Sequence, residues 1–130
     1  MKGRIYLSED RGGCALIAAA LDAFSGRKEM PAAQEVTLWA MRTGMDWSRT
    51  GWLWHAGEVS GGRSLFFCGV GNHAPIVERA LYCLMPMLKV SPLQWELVRL
   101  RTKAPRVRSW QGLIRNYPRL SRLIREELGF

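Results

Sequence analysis

The sequence is poor in cysteine and histidine, with three cysteines and two histidines. The cysteines, Cys14, Cys68 and Cys83, form no CxxC pair, and their number is odd. Neither they nor His55 and His73 stand at a spacing typical of a zinc site. We therefore expect reduced thiols, a cytoplasmic location and no metal ion.

The sequence also lacks an apolar run of the length that crosses a membrane. The stretch Cys14–Leu21 is apolar but far shorter than the ~20 residues that a membrane-spanning helix needs. Lys2 and Arg4 precede it, as in a secretory signal, but Glu9 and Asp10 intervene. The stretch is therefore predicted to be a buried helix, and no membrane association is expected.

No catalytic signature is present. Serine, histidine and acidic residues form no pattern typical of a catalytic triad or a nucleophile elbow. The stretch Gly69–Ala74 fits the phosphate-binding pattern G-x-G-x-x-A. Because no second parallel strand is predicted after it, a tight turn is the preferred interpretation. We expect no enzymatic activity and no cofactor.

Acidic residues are scarce in the last third of the chain. Residues 99–130, which we call the basic arm, hold nine basic and two acidic residues, a net charge of 9 − 2 = +7. Residues 1–98 hold ten basic and nine acidic residues, a net charge of 10 − 9 = +1, so nearly all of the total of +8 lies in the arm. A localised positive field marks the place where a polyanion binds.

The apolar periodicity predicts a mostly α-helical single domain over residues 1–130, a compact bundle of about five to six short helices. Gly13–Phe24 is apolar on almost every side, which indicates a central helix. Ser91–Gln94 combines a capping box with a proline at the first helical position, and predicts a helix that ends at Pro105. The arm is predicted to carry two further helical pieces, the first capped by Ser109 and the second beginning at Pro118.

Two short segments, residues 3–7 and 63–70, are rich in β-prone side chains. A single strand needs a partner, and each segment is the only plausible partner for the other. The sequence therefore predicts one small two-stranded β element beside the helices.

We expect the basic arm to bind the phosphate backbone of a nucleic acid, because guanidinium groups match phosphate geometry and also stack on bases. The predicted contact residues are Arg101, Lys103, Arg106, Arg108, Arg115, Arg119, Arg122 and Arg125. Trp110 and Tyr117 lie among them and are candidates for base stacking, which suits single-stranded or A-form nucleic acid. A solvated helix face and a surface for an acidic protein partner are the open alternatives.

A separate hypothesis concerns Pro31–Ala56, whose pattern resembles a helix-turn-helix. The pattern predicts a helix, a turn at Gly44, and a second helix from Trp47 to about Ala56. Gly57–Val70 would then supply a β-wing. The residues predicted to contact base edges are Ser48, Arg49 and Thr50. Two helices joined by a glycine turn are common in helical proteins, so this is the weaker interpretation.

The preferred interpretation is a non-enzymatic nucleic-acid-binding protein, or a small basic subunit of a ribonucleoprotein complex. The first alternative is a phage or plasmid protein that acts as a protein–protein inhibitor or adaptor on a host nucleic-acid machine, as anti-CRISPR proteins do. In that case Trp52 would anchor the interface with the target protein. The second alternative is a winged helix-turn-helix regulator. The choice between DNA and RNA, and the oligomeric state, stay open.

Overall fold

The computed structural model describes residues 2–59, 62–87 and 95–130. Its elements are β1 (Lys2–Ser8), α1 (Gly13–Ala23), α2 (Ala33–Met41), β2 (Trp54–Val59), β3 (Arg63–Gly69), α3 (Ala74–Met87), β4 (Trp95–Arg99) and α4 (Trp110–Leu128). The described part of the chain thus combines four helices with a four-stranded mixed sheet. The expected mostly α-helical bundle of five to six helices is wrong, and the fold is α/β.

The sheet has the strand order β2-β3-β1-β4. The central strand β1 pairs in parallel with β3 on one side and with β4 on the other, and β2 pairs antiparallel with β3. The predicted strands 3–7 and 63–70 are therefore confirmed, as is their mutual pairing. The prediction of only two strands is wrong, because β2 and β4 extend the sheet at its two edges.

Helices cover both faces of the sheet, as they do around most parallel sheets. On one face the buried side chains of α1, α2 and α4 form a common core with Tyr6, Leu65 and Phe67 of the sheet. On the other face Ala74 and Val77 of α3 pack with a smaller cluster of strand residues. The predicted helix Gly13–Phe24 is confirmed as α1, and its all-round apolar character is explained by burial between the sheet and two helices.

The predicted helix from Trp47 to about Ala56 is wrong. The segment is a loop followed by β2, which begins at Trp54. Gly51 has a φ of 87°, which a helix does not allow, and its N–H donates to Gly69 O at 2.7 Å. The second helix of the helix-turn-helix therefore does not exist, and the predicted wing is a hairpin inside the main sheet.

The predicted helix between Ser91 and Pro105 is also wrong where the structure describes it, because Trp95–Arg99 is strand β4. Its predicted start, 91–94, lies outside the described residues. Trp and Val favour strands, and pairing with β1 outweighs the local capping signals. The two helical pieces predicted for the arm are one helix, α4, which continues through Pro118.

The carboxyl ends of β1, β3 and β4 lie at the same edge of the sheet, because the three strands are parallel. The loops that follow them, 9–12, 70–73 and 100–109, therefore meet there. The basic arm, residues 99–130, therefore begins at this edge of the sheet. No helix in the described ranges is both long and apolar enough to cross a membrane.

Candidate nucleic-acid interface

Helix α4 carries the second half of the basic arm. Ser109 caps its start by accepting a hydrogen bond from Gly112 N at 3.1 Å. The helix is about 28 Å long, since each of its residues adds about 1.5 Å. Its buried stripe, which packs against α1 and α2, consists of Leu113, Tyr117, Leu120, Ser121 and Ile124. This stripe fixes which side chains point outward.

Three arginines form a row on the outward side of α4. Arg115, Arg119 and Arg122 stand at i, i+4 and i+7, opposite the buried stripe, and all three are exposed. None of them forms an ion pair within the described residues. The residues outside the description, 1, 60–61 and 88–94, contain no Asp or Glu in the sequence. The row is therefore not neutralised by the protein's own carboxylates.

The loop between β4 and α4 carries four more of the predicted contact residues, Arg101, Lys103, Arg106 and Arg108, and all four are exposed. Lys103 Nζ lies 3.9 Å from a Glu9 carboxylate oxygen. The other three form no ion pair within the part of the chain that the structure describes. Arg125, also exposed, donates from Nε to Phe130 O at 3.0 Å. All eight predicted cations thus reach solvent, and within the described residues Lys103 is the one whose side chain forms an ion pair with an acidic side chain.

The buried carboxylate of Asp10 holds this loop in place. Its Oδ1 accepts hydrogen bonds from Ser8 Oγ at 2.6 Å and Gly12 N at 2.8 Å. Its Oδ2 accepts from Ala104 N at 3.0 Å. Because Ala104 lies between β4 and α4, Asp10 ties the loop after β1 to the loop that carries the cations.

Glu127 makes a second connection, between the end of α4 and the same loop. Its carboxylate accepts hydrogen bonds from Arg101 N, Thr102 N and Thr102 Oγ1 at 2.7–2.8 Å. Partial burial raises the pKa of Glu127, but these hydrogen bonds outweigh burial and hold the pKa below its usual range. Of the two acidic residues in the basic arm, Glu127 thus directs its carboxylate to backbone N–H groups and a hydroxyl of the loop.

The aromatic candidates differ in accessibility. Tyr117 is buried, and its hydroxyl donates to Pro31 O, so the prediction that its ring stacks on bases is wrong. Trp110 is partly buried and packs edge-on against Trp47, with ring centroids 5.3 Å apart. Trp52 is 51% exposed and stacks on Trp54 at 5.9 Å. Trp110 and Trp52 therefore remain candidates for contact.

The residues predicted to read base edges lie in the loop between α2 and β2. Asp46 accepts hydrogen bonds from Ser48 N and Ser48 Oγ, and Arg49 Nε lies 3.5 Å from Asp46 Oδ2. The Arg49 guanidinium sits 4.6 Å from the centroid of the Trp52 ring. Ser48, Arg49 and Thr50 are exposed, but no recognition helix presents them.

The glycine-rich turn Gly69–Ala74 joins β3 to α3, and β4 follows as a parallel strand of the same sheet. The expectation that no second parallel strand follows was therefore wrong. Val70 N donates to Ser8 O and Gly71 N to Asp10 O, so these N–H groups are not available to a phosphate. A Cβ at Gly69 would lie 2.3 Å from Gly12 N, which shows that the glycine permits the end of β3 to pack closely against the loop after β1.

Arg11 is a basic residue that the sequence did not assign to the interface. It follows β1, yet it lines the same surface cleft as Arg108 and Trp110 at the start of α4. Nothing in the sequence indicates this proximity, because Arg11 lies far from the arm along the chain. Among the residues that the structure describes, no three side chains of metal-ligating type come together.

Comparison of the chain with protein-family models, with curated proteins and with solved structures gave no match. The function is therefore inferred from the geometry and charge of the surface.

Proposed function

We propose that this protein is a non-enzymatic nucleic-acid-binding protein, or a small basic subunit of a ribonucleoprotein complex, which contacts the phosphate backbone through the basic arm. The observation that supports the proposal most is the row of Arg115, Arg119 and Arg122. Exposed guanidinium groups without internal partners keep their donors for phosphate oxygens, and their repetition along a helix suits a polymer of regularly spaced charges.

The loop before α4 extends the basic surface beyond the helix. Arg101, Arg106 and Arg108 are exposed there, and the hydrogen bonds of Asp10 and Glu127 fix the loop against the loop after β1 and the end of α4. A fixed basic surface loses less conformational entropy on binding than a mobile tail. All three cysteines are free, which supports a cytoplasmic location for this function.

A protein–protein inhibitor or adaptor from a mobile element is the second candidate, and one observation favours it. Trp52 and Leu53 are 51% and 40% exposed, and they lie next to each other on the loop before β2. Exposed tryptophan is enriched among the residues that dominate protein interfaces. In this case the arginines of the arm would bind acidic patches of the target protein.

A salt titration with a charge-reversal variant tests the first proposal. In the variant, Arg115, Arg119 and Arg122 are each replaced by Glu. The matched control replaces Lys28, Arg42 and Arg79 by Glu, which lie outside α4 and are also exposed. Each triple change lowers the formal net charge from +8 by 6, to +2. Any difference in affinity between the two variants therefore depends on where the substituted residues lie and not on the net charge.

Affinity is measured by fluorescence anisotropy with labelled single- and double-stranded oligonucleotides over a range of salt concentrations. The logarithm of the binding constant is plotted against the logarithm of the salt concentration. We expect the magnitude of the slope to be smaller by about 2 to 3 in the α4 variant than in the wild type, since each lost phosphate contact removes roughly 0.7 to 0.9. The control variant should keep most of the slope. Equal losses in the two variants would show that only net charge matters. No binding by the wild type, together with stoichiometric capture of a protein complex, would favour the inhibitor.

A further inference from the structure

A cleft of about 460 Å³ lies beside the first turn of α4, at the edge of the sheet where the loops meet. Its lining comes from the loop after β1, the loop between α2 and β2, and the start of α4. The lining residues are Arg11, Met45, Asp46, Trp47, Ser48, Arg108 and Trp110. The cleft is shallow and open to solvent, so a bound group can remain part of a longer strand.

The cleft contains two guanidinium groups with unused donors. Arg11 Nη1 has a single long hydrogen bond, 3.4 Å to Trp47 O, and Arg108 Nε has one of 3.4 Å to Pro105 O. Neither side chain forms an ion pair within residues 2–59, 62–87 and 95–130. Each guanidinium carries five N–H donors, so both retain the capacity to bind an anion.

The one carboxylate in the lining is already occupied. Asp46 Oδ1 accepts hydrogen bonds from Ser48 Oγ at 2.7 Å and Ser48 N at 2.9 Å, and Oδ2 lies 3.5 Å from Arg49 Nε. The bonds from Ser48 lower the pKa of Asp46, which keeps it charged and paired with Arg49. The cleft therefore keeps the positive charge of Arg11 and Arg108.

Two indole rings form the apolar wall of the cleft. Trp47 and Trp110 pack at an interplanar angle of 84°, and both are partly buried against the core around α1. Their positions are fixed by this packing, so the wall exists before a ligand binds. A rigid aromatic surface next to guanidinium groups matches a molecule with a planar ring and an anionic group, which is the chemistry of a nucleotide.

We propose that this cleft binds one unpaired nucleotide of the nucleic acid, with the phosphate held by Arg11 and Arg108 and the base against Trp110. The inference rests on the proposed function, since the rest of the strand follows the basic arm. In a duplex each base is paired and stacked inside the helix, where Trp110 has no access to it. The protein should therefore bind single strands more tightly than duplexes of the same length.

The test compares three labelled probes at one salt concentration. They are an oligothymidylate of about 15 nucleotides, an abasic strand with the same number of phosphates, and the corresponding duplex. Wild-type protein should bind the oligothymidylate about 10-fold more tightly than the abasic strand, since stacking on one aromatic ring contributes on this scale. Trp110→Ala should remove this difference, and Trp110→Phe should retain most of it.

A second variant keeps the test valid if Trp110→Ala fails to fold. Arg11→Gln removes one charge of the cleft outside the basic arm, and it gives up one long hydrogen bond. The matched control is Arg79→Gln, an exposed arginine of α3 on the opposite face of the sheet. We expect Arg11→Gln to weaken oligothymidylate binding by about 5-fold, the scale of one phosphate contact, and Arg79→Gln to leave it unchanged.

The failures of the two proposals differ in this assay. If the abasic strand binds as tightly as the oligothymidylate and Arg11→Gln has no effect, the cleft inference is wrong. The loss of binding in the α4 charge-reversal variant would then still uphold the proposed function. If Arg11→Gln weakens the binding of polyglutamate as much as it weakens the binding of oligothymidylate, the cleft accepts any anion and the inference is overturned. If no probe binds, both proposals fail.

Discussion

Truncating Asp10 tests whether the loops at the basic edge depend on one buried carboxylate. The side chain is 4% exposed and accepts three hydrogen bonds, two of them from the buried N–H groups of Gly12 and Ala104. In Asp10→Ala these two N–H groups lose their acceptor. A buried donor left without a partner costs about 1–3 kcal/mol, so the loss should be about 3 kcal/mol of unfolding free energy.

The near-isosteric change Asp10→Asn should have a smaller effect. If the amide oxygen replaces Oδ1, it still accepts from Ser8 Oγ and Gly12 N, but the amide nitrogen then faces the N–H of Ala104. One hydrogen bond is lost, which costs about 1.5 kcal/mol. The order of stability should therefore be wild type, then Asn, then Ala.

Urea unfolding followed by circular dichroism measures these changes, and Asp46→Ala is the matched control. Asp46 also accepts two hydrogen bonds, but it is exposed, so water replaces the lost acceptor and the cost should stay below about 0.5 kcal/mol. Equal losses for Asp10→Ala and Asp46→Ala would refute the claim that burial makes Asp10 important.

Three further predictions concern packing, thiols and pH. Gly69→Ala should destabilise the protein by about 3 kcal/mol, because its Cβ would meet the backbone of Arg11 and Gly12 at 2.3 Å. The control Gly26→Ala should leave stability unchanged, since no atom lies within 4 Å of its Cβ. Thermal unfolding of the two variants tests this difference. Ellman's reagent should label one thiol of the native protein, the exposed Cys83. Burial raises the pKa of Cys68 to about 11 and that of Cys14 further still, so these two thiols should not react. Fast labelling of the Cys83→Ser variant would contradict this prediction. Because the pKa of Glu127 is lowered in the folded state, its carboxylate should stabilise the fold above the unfolded-state pKa, and this effect should be lost as the pH falls through the folded-state pKa. Between about pH 6 and about pH 3, the urea midpoint should therefore fall less in Glu127→Gln than in the wild type. Parallel curves for the two proteins would contradict this prediction.

The sequence predicted correctly those helices and strands whose secondary-structure propensity agrees with their tertiary packing. The continuous apolar run from Gly13 indicated a buried helix, and α1 is buried on every side. Ser109 indicated the start of a helix, and α4 begins there with the expected capping bond. The β-prone residues 3–7 and 63–70 are β1 and β3. In each case propensity and packing favour the same structure.

The errors lie in the two segments, 54–59 and 95–99, where pairing with another strand decides the conformation. Trp95–Arg99 follows strong local signals for a helix start, yet it forms β4 because β1 offers an unpaired edge. Trp54–Val59 forms β2 because β3 lies beside it, and Gly51 prevents the predicted helix. The hydrogen bonds between β1 and β4 join residues far apart in the chain, so no window of neighbouring residues contains the information that predicts β4. The β2–β3 hairpin is local, and the error there was to extend a helix past Gly51.

The sequence by itself determined the charge of the candidate interface, since the excess of arginine over acid in residues 99–130 is a matter of composition. The row of Arg115, Arg119 and Arg122 follows from the helical period only because α4 continues through Pro118, where the sequence predicted a second helix. Only the tertiary structure decided that Tyr117 is buried, that Asp10 and Glu127 hold the basic loop, and that Arg11 joins Arg108 and Trp110 in one cleft. The physical reason is that charge and helical period are local properties, whereas burial and proximity depend on how the parallel strands bring their carboxyl ends to one edge of the sheet.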